Sequence, residues 1–377
     1  MTGTTLSSTT PPLLPTTEED TVNRLRLLRS RRVGAVTYHR LIAEHESAAN
    51  ALAALPEIAL AAGVADYAIC PEGVVLAEIK AAKAAGARLI MSGTSNYPSS
   101  LAELGDAPPL LWFIGKLALL QRPMIALVGA RNASSLGTRM AKRLAEELSE
   151  AGYTVVSGLA RGIDAAAHLG ALKGGTVAVQ AGGVDVVYPT ENTQLTYDIG
   201  KSGLRLSEMP MGLQPQARHF PARNRIISGL AQAVVVVEAA AKSGSLITAR
   251  NALDQGRDVL AVPGHPFDAR ASGCNMLIRD GALLVRNAAD VIAALQPVAE
   301  PAPTLPLSLP RAAKRTLRET ALLNSEILSR LGPTPIAEDQ LLRDIKAAAT
   351  DVAPILVDLE LDGKITRQAG GLLARAV

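Results

Sequence analysis

The chain has 377 residues, of which 48% are hydrophobic and 19% are charged. This length exceeds one typical domain, so two or three domains are expected, with the composition of an ordinary globular protein. The net charge of +3 is too small to identify a nucleic-acid-binding protein, and a DNA or RNA surface would depend on local clusters of basic residues. The only cysteines, Cys70 and Cys274, have no metal-binding spacing and are expected to be buried free thiols in a reducing compartment.

The N-terminal residues 1–21 are rich in threonine, serine and proline. They contain neither a basic region nor an apolar core, so we predict a disordered tail rather than a signal peptide. The most apolar segment, residues 49–65, is interrupted by Pro56 and Glu57 and is too broken to span a membrane. We therefore expect no membrane contact, and by elimination a cytoplasmic protein.

Residues 22–85 form the first predicted folded domain, which is helical. Its apolar positions recur at helical spacings, and they are Leu25, Leu27, Leu28, Leu41, Ile42, Leu52 and Leu55. The arginines of residues 29–32 form either the charged face of a packing domain or a phosphate site.

Residues 89–115 lead into the next domain and are predicted to be extended, because a residue before proline disfavours helix. Trp112 is the only tryptophan of the chain. Apolar neighbours surround it in the sequence, so we expect a core residue rather than a platform for a base.

Three apolar runs between residues 125 and 192 each end in a glycine turn. They lead into Gly129-Ala130-Arg131, Ser157-Gly158-Leu159-Ala160-Arg161-Gly162 and Ala181-Gly182-Gly183. Short β-type runs that alternate with helical segments indicate a parallel sheet, whose ligands bind outside the carboxyl ends of the strands. The three turns are therefore expected at one edge, where glycine lets the backbone approach a ligand and free N–H groups of the next helix favour an anion.

The same α/β domain, predicted over residues 86–295, continues with four more strands. These strands are expected at residues 204–206, 234–237, 259–262 and 282–285, and the alternating helices at 136–149, 164–172, 224–230 and 246–255. The first turn lacks the second and third glycines of G-x-G-x-x-G, and the chain has no G-x-x-x-x-G-K-[ST], which argues against a dinucleotide site and a P-loop. Arg131 stands in the turn instead, and its planar fork suits phosphate and can stack on a base.

The C-terminal part begins with a proline-rich linker, predicted over residues 296–319, which is expected to be semi-rigid. Residues 320–377 follow the pattern of a winged helix, with helices expected at 321–331, 336–347 and 351–361 and a turn at Gly370-Gly371. The expected third helix carries Asp351, Asp358 and Glu360 without lysine or arginine. We therefore predict that this domain mediates protein contacts or regulates access rather than reading duplex DNA.

Several long motifs resemble the DNA-processing protein A (DprA/Smf) family over residues 87–289. They are Gly129-Ala130-Arg131, the 157–168 string Ser-Gly-Leu-Ala-Arg-Gly-Ile-Asp-Ala-Ala-Ala-His, Tyr188-Pro189-Thr190-Glu191-Asn192, the 219–230 string beginning His-Phe-Pro-Ala-Arg-Asn-Arg, and the 243–250 string Ser-Gly-Ser-Leu-Ile-Thr-Ala-Arg. The family usually has serine where this chain has Ala130.

The resemblance implies an extended Rossmann-like parallel-sheet core, a small sterile-alpha-motif-like helical domain before it and a winged helix after it. It further implies a cytoplasmic mediator that binds single-stranded DNA, protects incoming strands in natural transformation and loads the RecA recombinase. Such a protein acts as a homodimer, without a cofactor and without turnover. The family's helical domain has helix-hairpin-helix character, although residues 32–36 lack the second glycine of a G-x-G hairpin.

The candidate DNA-binding residues lie in the glycine turns and in a basic stretch around Phe220. That stretch places three arginines about one aromatic ring, which suits a single strand whose bases can stack; alternatively, Phe220 plugs the sheet edge and the arginines bind carbonyl groups. Ser243-Gly244-Ser245 caps a helix, holds a phosphate, or both. The full set is Gly129, Arg131, Gly158, Arg161, Gly162, Arg218, Phe220, Arg223, Asn224, Arg225, Ser243, Gly244 and Ser245.

The best catalytic candidates are Asp164 with His168, one helical turn apart, and Glu208 or Glu238 at strand ends. No nucleophile or metal-ligand cluster stands beside them, and helix capping by Asp164 with packing of His168 explains the pair, so we predict no enzyme and no metal. The rival is a nucleotide-binding enzyme of the nucleoside-monophosphate phosphoribohydrolase type. Residues 182–185 carry its glycines without the glutamate-bearing continuation G-G-x-G-T-x-x-E.

Overall fold

The computed structural model describes residues 18–295, 317–368 and 371–376. The chain divides into two compact units, residues 1–298 and 299–377. The predicted disordered tail lies outside the described residues up to residue 17, and α1 (Glu18–Arg29) begins before the predicted domain start at residue 22. Residues 296–316 of the predicted linker also lie outside them.

A helical domain opens the first unit. It consists of α1, α2 (Ala35–His45), α3 (Ala48–Ala61) and α4 (Glu72–Ala84). The predicted leucines form its core, since Leu27, Leu41 and Leu52 are buried together. The helical domain predicted from leucine spacing is therefore confirmed.

The rest of the first unit is a nine-stranded sheet covered by helices. Its strands are β1 (Arg88–Met91), β2 (Leu110–Gly115), β3 (Met124–Gly129), β4 (Thr154–Ser157), β5 (Thr176–Val179), β6 (Leu204–Ser207), β7 (Ala233–Glu238), β8 (Asp258–Ala261) and β9 (Leu283–Leu284). The helices are α5 (Ser99–Ala102), α6 (Ser135–Glu150), α7 (Ile163–Ala171), α8 (Thr193–Ser202), α9 (His219–Leu230), α10 (Ser245–Asp254), α11 (Ser272–Arg279) and α12 (Ala288–Leu295).

The strand order is β1-β2-β6-β5-β4-β3-β7-β8-β9. The segment from β5 to β9 has the 3-2-1-4-5-6 order of a doubly wound nucleotide-binding fold, and β6, β2 and β1 extend it on one side. Strands β1, β2 and β6 pair antiparallel, and all other pairs are parallel. The chain changes direction across the sheet between β3 and β7, so the ligand crevice is expected at the carboxyl ends of these two strands.

The sheet is buried on both faces, as the continuous apolar runs of its strands require. Val128, Val156 and Val236 face one core with α9 and α10, while their neighbours Leu127, Val155 and Val235 face the other with α6 and α7. Cys70 and Cys274 are buried free thiols, as predicted.

Trp112 is a core residue, as predicted, and it also takes part in a polar contact with the helical domain. Its Nε1–H donates to Glu78 Oε1 over 2.7 Å, and Glu78 accepts two hydrogen bonds from Arg29 at 2.8 and 2.9 Å. Buried charges need such partners, so this cluster fixes α1 and α4 against β2.

The second unit has its own core and the winged-helix element order. It contains α13 (Leu317–Arg330), β10 (Ile336–Ala337), α14 (Glu338–Ile345), α15 (Ala349–Leu361), β11 (Ile365–Gln368) and β12 (Leu372–Arg375), with sheet order β10-β12-β11. The helix predicted over residues 336–347 is shorter, because its first two residues pair with β12 as a strand. Among the described residues, no helix has the length and apolar character needed to cross a bilayer.

Candidate nucleic-acid interface

Two adjoining depressions lie at the carboxyl ends of the parallel strands. The main cleft, about 660 Å³, is lined by residues 128–132, the start of α9 and residues 242–245, and therefore lies at the crevice between β3 and β7. The side pocket, about 260 Å³, is lined by residues 158–161, 180–182 and 188–191. Arg131, Ala160 and Phe220 line both and form the wall between them.

An arginine stacked on an aromatic ring forms that wall. The guanidinium carbon of Arg131 lies 4.8 Å from the centre of the Phe220 ring, within cation–π range. The ring of Tyr188 lies 5.8 Å from that of Phe220. Arg131 is exposed and Phe220 half-buried, so this cluster offers both charge and aromatic surface to the two depressions.

The structure places Phe220 in the first turn of α9 rather than in the loop that the sequence suggested. Tyr188, which is 45% exposed, was missed as a site residue. Its signal in the sequence was its place after the third glycine turn, directly before Pro189.

The glycine turns were expected to present free N–H groups to a ligand, but the loop formed by residues 157–162 does not. Asp164 Oδ2 accepts hydrogen bonds from the N–H groups of Gly158 and Ala160, at 3.2 and 3.3 Å. His168 Nε2 accepts the N–H of Leu159 at 3.3 Å. Three successive amides are thus satisfied within the protein, which removes them as anion donors at this turn.

Asp164 is not the helix cap that the sequence suggested. The N-cap of α7 is Gly162, and Asp164 lies inside the helix, from where it binds the preceding loop. Burial raises the pKa of its carboxyl, while Arg223 and the loop amides favour the charged form. Asp164 therefore positions the loop.

His168 is completely buried under the same loop. Its Nδ1 is 2.7 Å from Thr176 Oγ1, whose hydroxyl donates to the carbonyl of Val155, so Nδ1 carries the proton. Burial, helped by the charge of Arg223, lowers the pKa of His168 to about 3. The neutral imidazole holds the loop. It is buried and both of its nitrogens are engaged within the protein, so it does not face a ligand.

Arg223 and Arg225 make structural contacts. Arg223 is buried directly below Gly158, where no Cβ would fit, and donates to the carbonyl of Val179 at 2.9 Å. Its burial lowers the pKa to about 10. Arg225 donates to the carbonyl of Asp106 at 2.6 Å and pairs with Glu208. Arg223 also lines the main cleft, whereas Arg225 lines neither depression, and DNA contact by either arginine stays a prediction.

Two of the predicted glycines shape the turns. A Cβ on Gly129 would lie 2.6 Å from Ile163 Cγ1 and 2.8 Å from the carbonyl oxygen of Glu238, so the close packing of α7 and the end of β7 against β3 requires glycine here. Gly162 has a φ of +76°, which favours glycine.

The second helix start, at α10, keeps two hydroxyls beside the cleft. Ser243 Oγ lies 2.7 Å from Ser245 Oγ, and the N–H of Ser245 reaches Ser243 Oγ only at 3.4 Å. Ser243, Gly244 and Ser245 all line the main cleft, together with Lys242 and Arg270, two cations that the sequence analysis missed. Lys242 adjoins the Ser-Gly-Ser motif, whereas Arg270 lies in the loop after β8 and has no local signal.

The remaining predicted residues are dispersed. Arg161 lines the side pocket and pairs with Glu191 at 3.4 Å, both side chains being more than half exposed. Asn224 lines the main cleft. Arg218 donates to the ring of His219 at 3.3 Å and is not among the residues that line either depression.

Gln180, which lines the side pocket, has one buried polar atom without a partner among the described residues. Gln180 is 6% exposed, and its Nε2 donates to the carbonyl of Val186 at 2.7 Å, which fixes the orientation of the amide. Its Oε1 accepts no hydrogen bond from the part of the chain that the structure describes. Since buried acceptors are normally satisfied, this oxygen would bind an N–H donor of a ligand once a movement of the Gln180 side chain exposes it to the pocket.

Glu238, the other carboxylate considered for catalysis, supports the first turn. It accepts the N–H of Ser134 at 3.0 Å and the hydroxyl of Ser134 at 2.6 Å. Among the described residues there is no cluster of three histidine, cysteine or carboxylate side chains that could hold a metal.

Comparison with known families decides the classification. The model of DNA recombination-mediator protein A matches residues 88–296, and models of the DprA-like N-terminal HHH domain and the DprA winged helix domain match residues 18–81 and 311–371. The chain belongs to the DprA/Smf family. The predicted resemblance and fold class are therefore confirmed, and the family consists of DNA-processing recombination mediators.

Individual relatives agree with this assignment. The DNA processing protein DprA of Streptococcus pneumoniae is 48% identical over 52% of this chain and 70% of its own. Its X-ray structure aligns with a TM-score of 0.61, 37% identity and coverage of 72% of this chain and 97% of that one. A Helicobacter pylori structure, described as showing a single-stranded DNA binding mode of DNA processing protein A, aligns with a TM-score of 0.52 and 30% identity over 55% and 95% of the two chains.

Proposed function

We propose that this protein binds single-stranded DNA in the main cleft and side pocket. The observation that carries the proposal is the stacking of Arg131 on Phe220 at the wall between them. Single-strand sites combine a cationic groove with aromatic faces on which bases stack. Arg131 and Lys242 supply the charge, and Phe220 with Tyr188 supplies the faces.

The geometry favours a single strand over a duplex. A pocket of about 260 Å³ is smaller than a typical site for a drug-sized molecule and suits a group the size of one base. The Oε1 of Gln180 would accept an N–H from such a base. A base can enter the pocket only when it is unpaired, because a paired base is held in the stack of the duplex.

Phosphates of the bound strand would be held by side chains. The amides of residues 158–160 are satisfied by Asp164 and His168, so the glycine turn cannot supply them. The exposed cations of the cleft and the hydroxyls of Ser243 and Ser245 remain as hydrogen-bond donors to phosphate.

In the cell, this binding would serve recombination. Membership of the DprA/Smf family and the single-strand binding described for the H. pylori relative support a mediator that protects incoming DNA in natural transformation and loads RecA. We include a homodimer and the absence of enzymatic turnover in the proposal. Strand exchange by RecA on single strands coated with a single-strand-binding protein, with and without this protein, tests the loading step.

The direct test of the site compares Arg131→Ala with Lys173→Ala, which removes an exposed charge at the opposite edge of the sheet. Arg131→Ala should weaken single-strand affinity about tenfold or more while the melting temperature stays near wild type, since it removes a phosphate contact and little packing. Arg131→Lys should restore charge without the fork geometry. Equal affinities of Arg131→Ala and the control in an anisotropy titration would refute the proposal.

Phe220→Ala tests the preference for single strands. It should lower affinity for single strands more than for duplex, because stacking on the ring needs unpaired bases. An equal loss on both substrates, in a variant that remains folded, would assign Phe220 a structural role.

The alternative is a nucleoside-monophosphate phosphoribohydrolase, and Glu191 is the carboxylate that lines the side pocket. Glu191 is more than half exposed and is paired with Arg161, so it lacks the environment of a buried acid. Ribose release from nucleoside monophosphates by the pure protein, abolished in Glu191→Gln, would favour this enzyme over the mediator.

A further inference from the structure

One aromatic side chain of the first unit is left almost completely in solvent. Phe267 is 94% exposed, whereas Phe113, in β2, is 3% exposed and Phe220 is half-buried. Single exposed apolar residues are common on protein surfaces, so exposure alone shows nothing. The surroundings of Phe267 and the place of its loop are what give it significance.

The loop that carries Phe267, residues 264–270 between β8 and α11, is held in place at both ends. Asn275 accepts the N–H of Gly264 at 3.1 Å and donates to its carbonyl at 3.0 Å. Asp268 accepts the backbone N–H of Arg270 at 2.9 Å and binds its guanidinium through both carboxylate oxygens, at 3.0 and 3.1 Å. An exposed aromatic ring at the tip is thus presented by an internally bonded loop.

A second ring lies against the first. The ring centres of His265 and Phe267 are 5.6 Å apart with a tilt of 39°, and the N–H of Phe267 donates to His265 Nδ1 at 3.3 Å. The two rings form one aromatic platform, which we define as the His265–Phe267 platform.

The loop that carries the platform borders the main cleft through Arg270, while His265 lines a separate depression of about 590 Å³ beside α6. Arg270, three residues after Phe267, lines that cleft together with Lys242 and Phe220. Its guanidinium also lies 3.7 Å from Glu238, at the carboxyl end of β7. A strand that follows the main cleft past Arg131 and Lys242 therefore arrives at Arg270, which is paired with Asp268, and at the loop that carries Phe267.

We infer that the His265–Phe267 platform is a second base-stacking site, which binds a base of the strand after it leaves the main cleft. This inference rests on the proposed function and extends it. An unpaired base presents an aromatic face of any sequence, so stacking here would add affinity without sequence preference. A protein partner is the competing occupant, but the neighbouring cleft with its cations Arg131 and Lys242 favours nucleic acid.

The length of the bound strand distinguishes the two sites. Using the full chain and a series of oligothymidylates of increasing length, Phe267→Ala should bind the shortest oligonucleotides like wild type and the longest about five- to a hundredfold more weakly. Phe220→Ala should lose affinity at every length. Tyr197→Ala is the matched control, since Tyr197 is a 54% exposed aromatic on α8 that lines neither depression.

A fluorescence measurement reports the stacking directly. Trp112, the only native tryptophan, is 3% exposed, so Phe267→Trp adds a single solvent-exposed indole. Long oligothymidylate should quench this added emission and short oligonucleotide should not, and Phe267→Trp should keep the long-strand affinity that Phe267→Leu loses.

The outcomes separate the inference from the proposed function. Unchanged long-strand affinity of Phe267→Ala together with unquenched Phe267→Trp would overturn the platform while leaving the cleft proposal intact. Failure of wild type to bind any single strand would overturn both. A change in sedimentation of Phe267→Ala without loss of DNA affinity would assign the platform to a contact between copies of the chain and also overturn the inference.

Discussion

The buried imidazole of His168 makes acid stability the sharpest physical test of this structure. Burial lowers its pKa from the ordinary 6.5 to about 3, so the native protein keeps it neutral where the unfolded chain binds a proton. Below pH 6.5 the proton therefore stabilises the unfolded state. The stability that depends on neutral His168 is complete above pH 6.5 and is lost as the pH falls towards 3.

The size of the effect follows from the shift. One pKa unit corresponds to about 1.4 kcal/mol, so the whole shift is worth about 5 kcal/mol, and lowering the pH from 7 to 5 costs about 2 kcal/mol of it. His168→Gln keeps an acceptor for the N–H of Leu159 and removes the titration. The variant should be less stable than wild type at pH 7. Between pH 7 and pH 5 it should lose about 2 kcal/mol less unfolding free energy than wild type, because it lacks the titrating histidine.

The assay is urea unfolding at pH 7 and pH 5, followed by the fluorescence of Trp112, which lies in the same unit. The raised pKa of Asp164 acts in the opposite direction, because the native carboxyl takes up a proton first as the pH falls. Asp164 is present in both proteins, so the difference between them isolates His168. An equal loss of unfolding free energy in wild type and His168→Gln would refute the reasoning.

Three further predictions follow from the site and the second unit. Gln180→Leu should weaken single-strand binding about fivefold or more, because it removes the acceptor in the side pocket. Strands with abasic positions should bind wild type and Gln180→Leu alike. A difference that persists on abasic strands would contradict a role of Gln180 in binding a base. Arg223→Met should cost about 2–4 kcal/mol of unfolding free energy, because the carbonyl of Val179 and the charge of Asp164 lose their buried partner; a small cost with a large loss of DNA affinity would make Arg223 a DNA ligand. A 1–310 truncation should keep most single-strand affinity, and the 311–377 fragment should show no duplex binding at physiological salt, since Lys364 and Arg367 pair with Asp362 and Glu338; tight, salt-sensitive duplex binding by the fragment would refute this.

Local patterns predicted the sheet and its turns well. The valine-rich runs that became β4, β5 and β7 carry their signal in a few adjacent residues, and a glycine marks the ends of β3 and β4. The start of α9 was missed because Pro221 suggests a loop. Proline is tolerated in a first helical turn, where its missing N–H has no partner to lose.

The roles of individual polar residues could not be predicted in the same way. Arg223 binds the carbonyl of Val179 and Arg225 that of Asp106, partners that are distant in the sequence. An arginine beside an aromatic in the sequence gives no sign of whether its guanidinium ends in a buried layer or in solvent. The packing of α9 against the sheet buries the side chain of Arg223, whereas that of Arg131 stays exposed.

That buried layer explains how the site can be both rigid and cationic. Beneath Gly158, Asp164 and His168 accept hydrogen bonds from the loop amides, and Arg223 donates to the carbonyl of Val179 in β5. Asn192 donates to the carbonyl of Leu159 at 2.9 Å. The amides of residues 158–160 are already bonded and are therefore not donors to an anion. What remains for the ligand is a fixed surface of exposed cations and aromatic rings, which suits holding and releasing a strand.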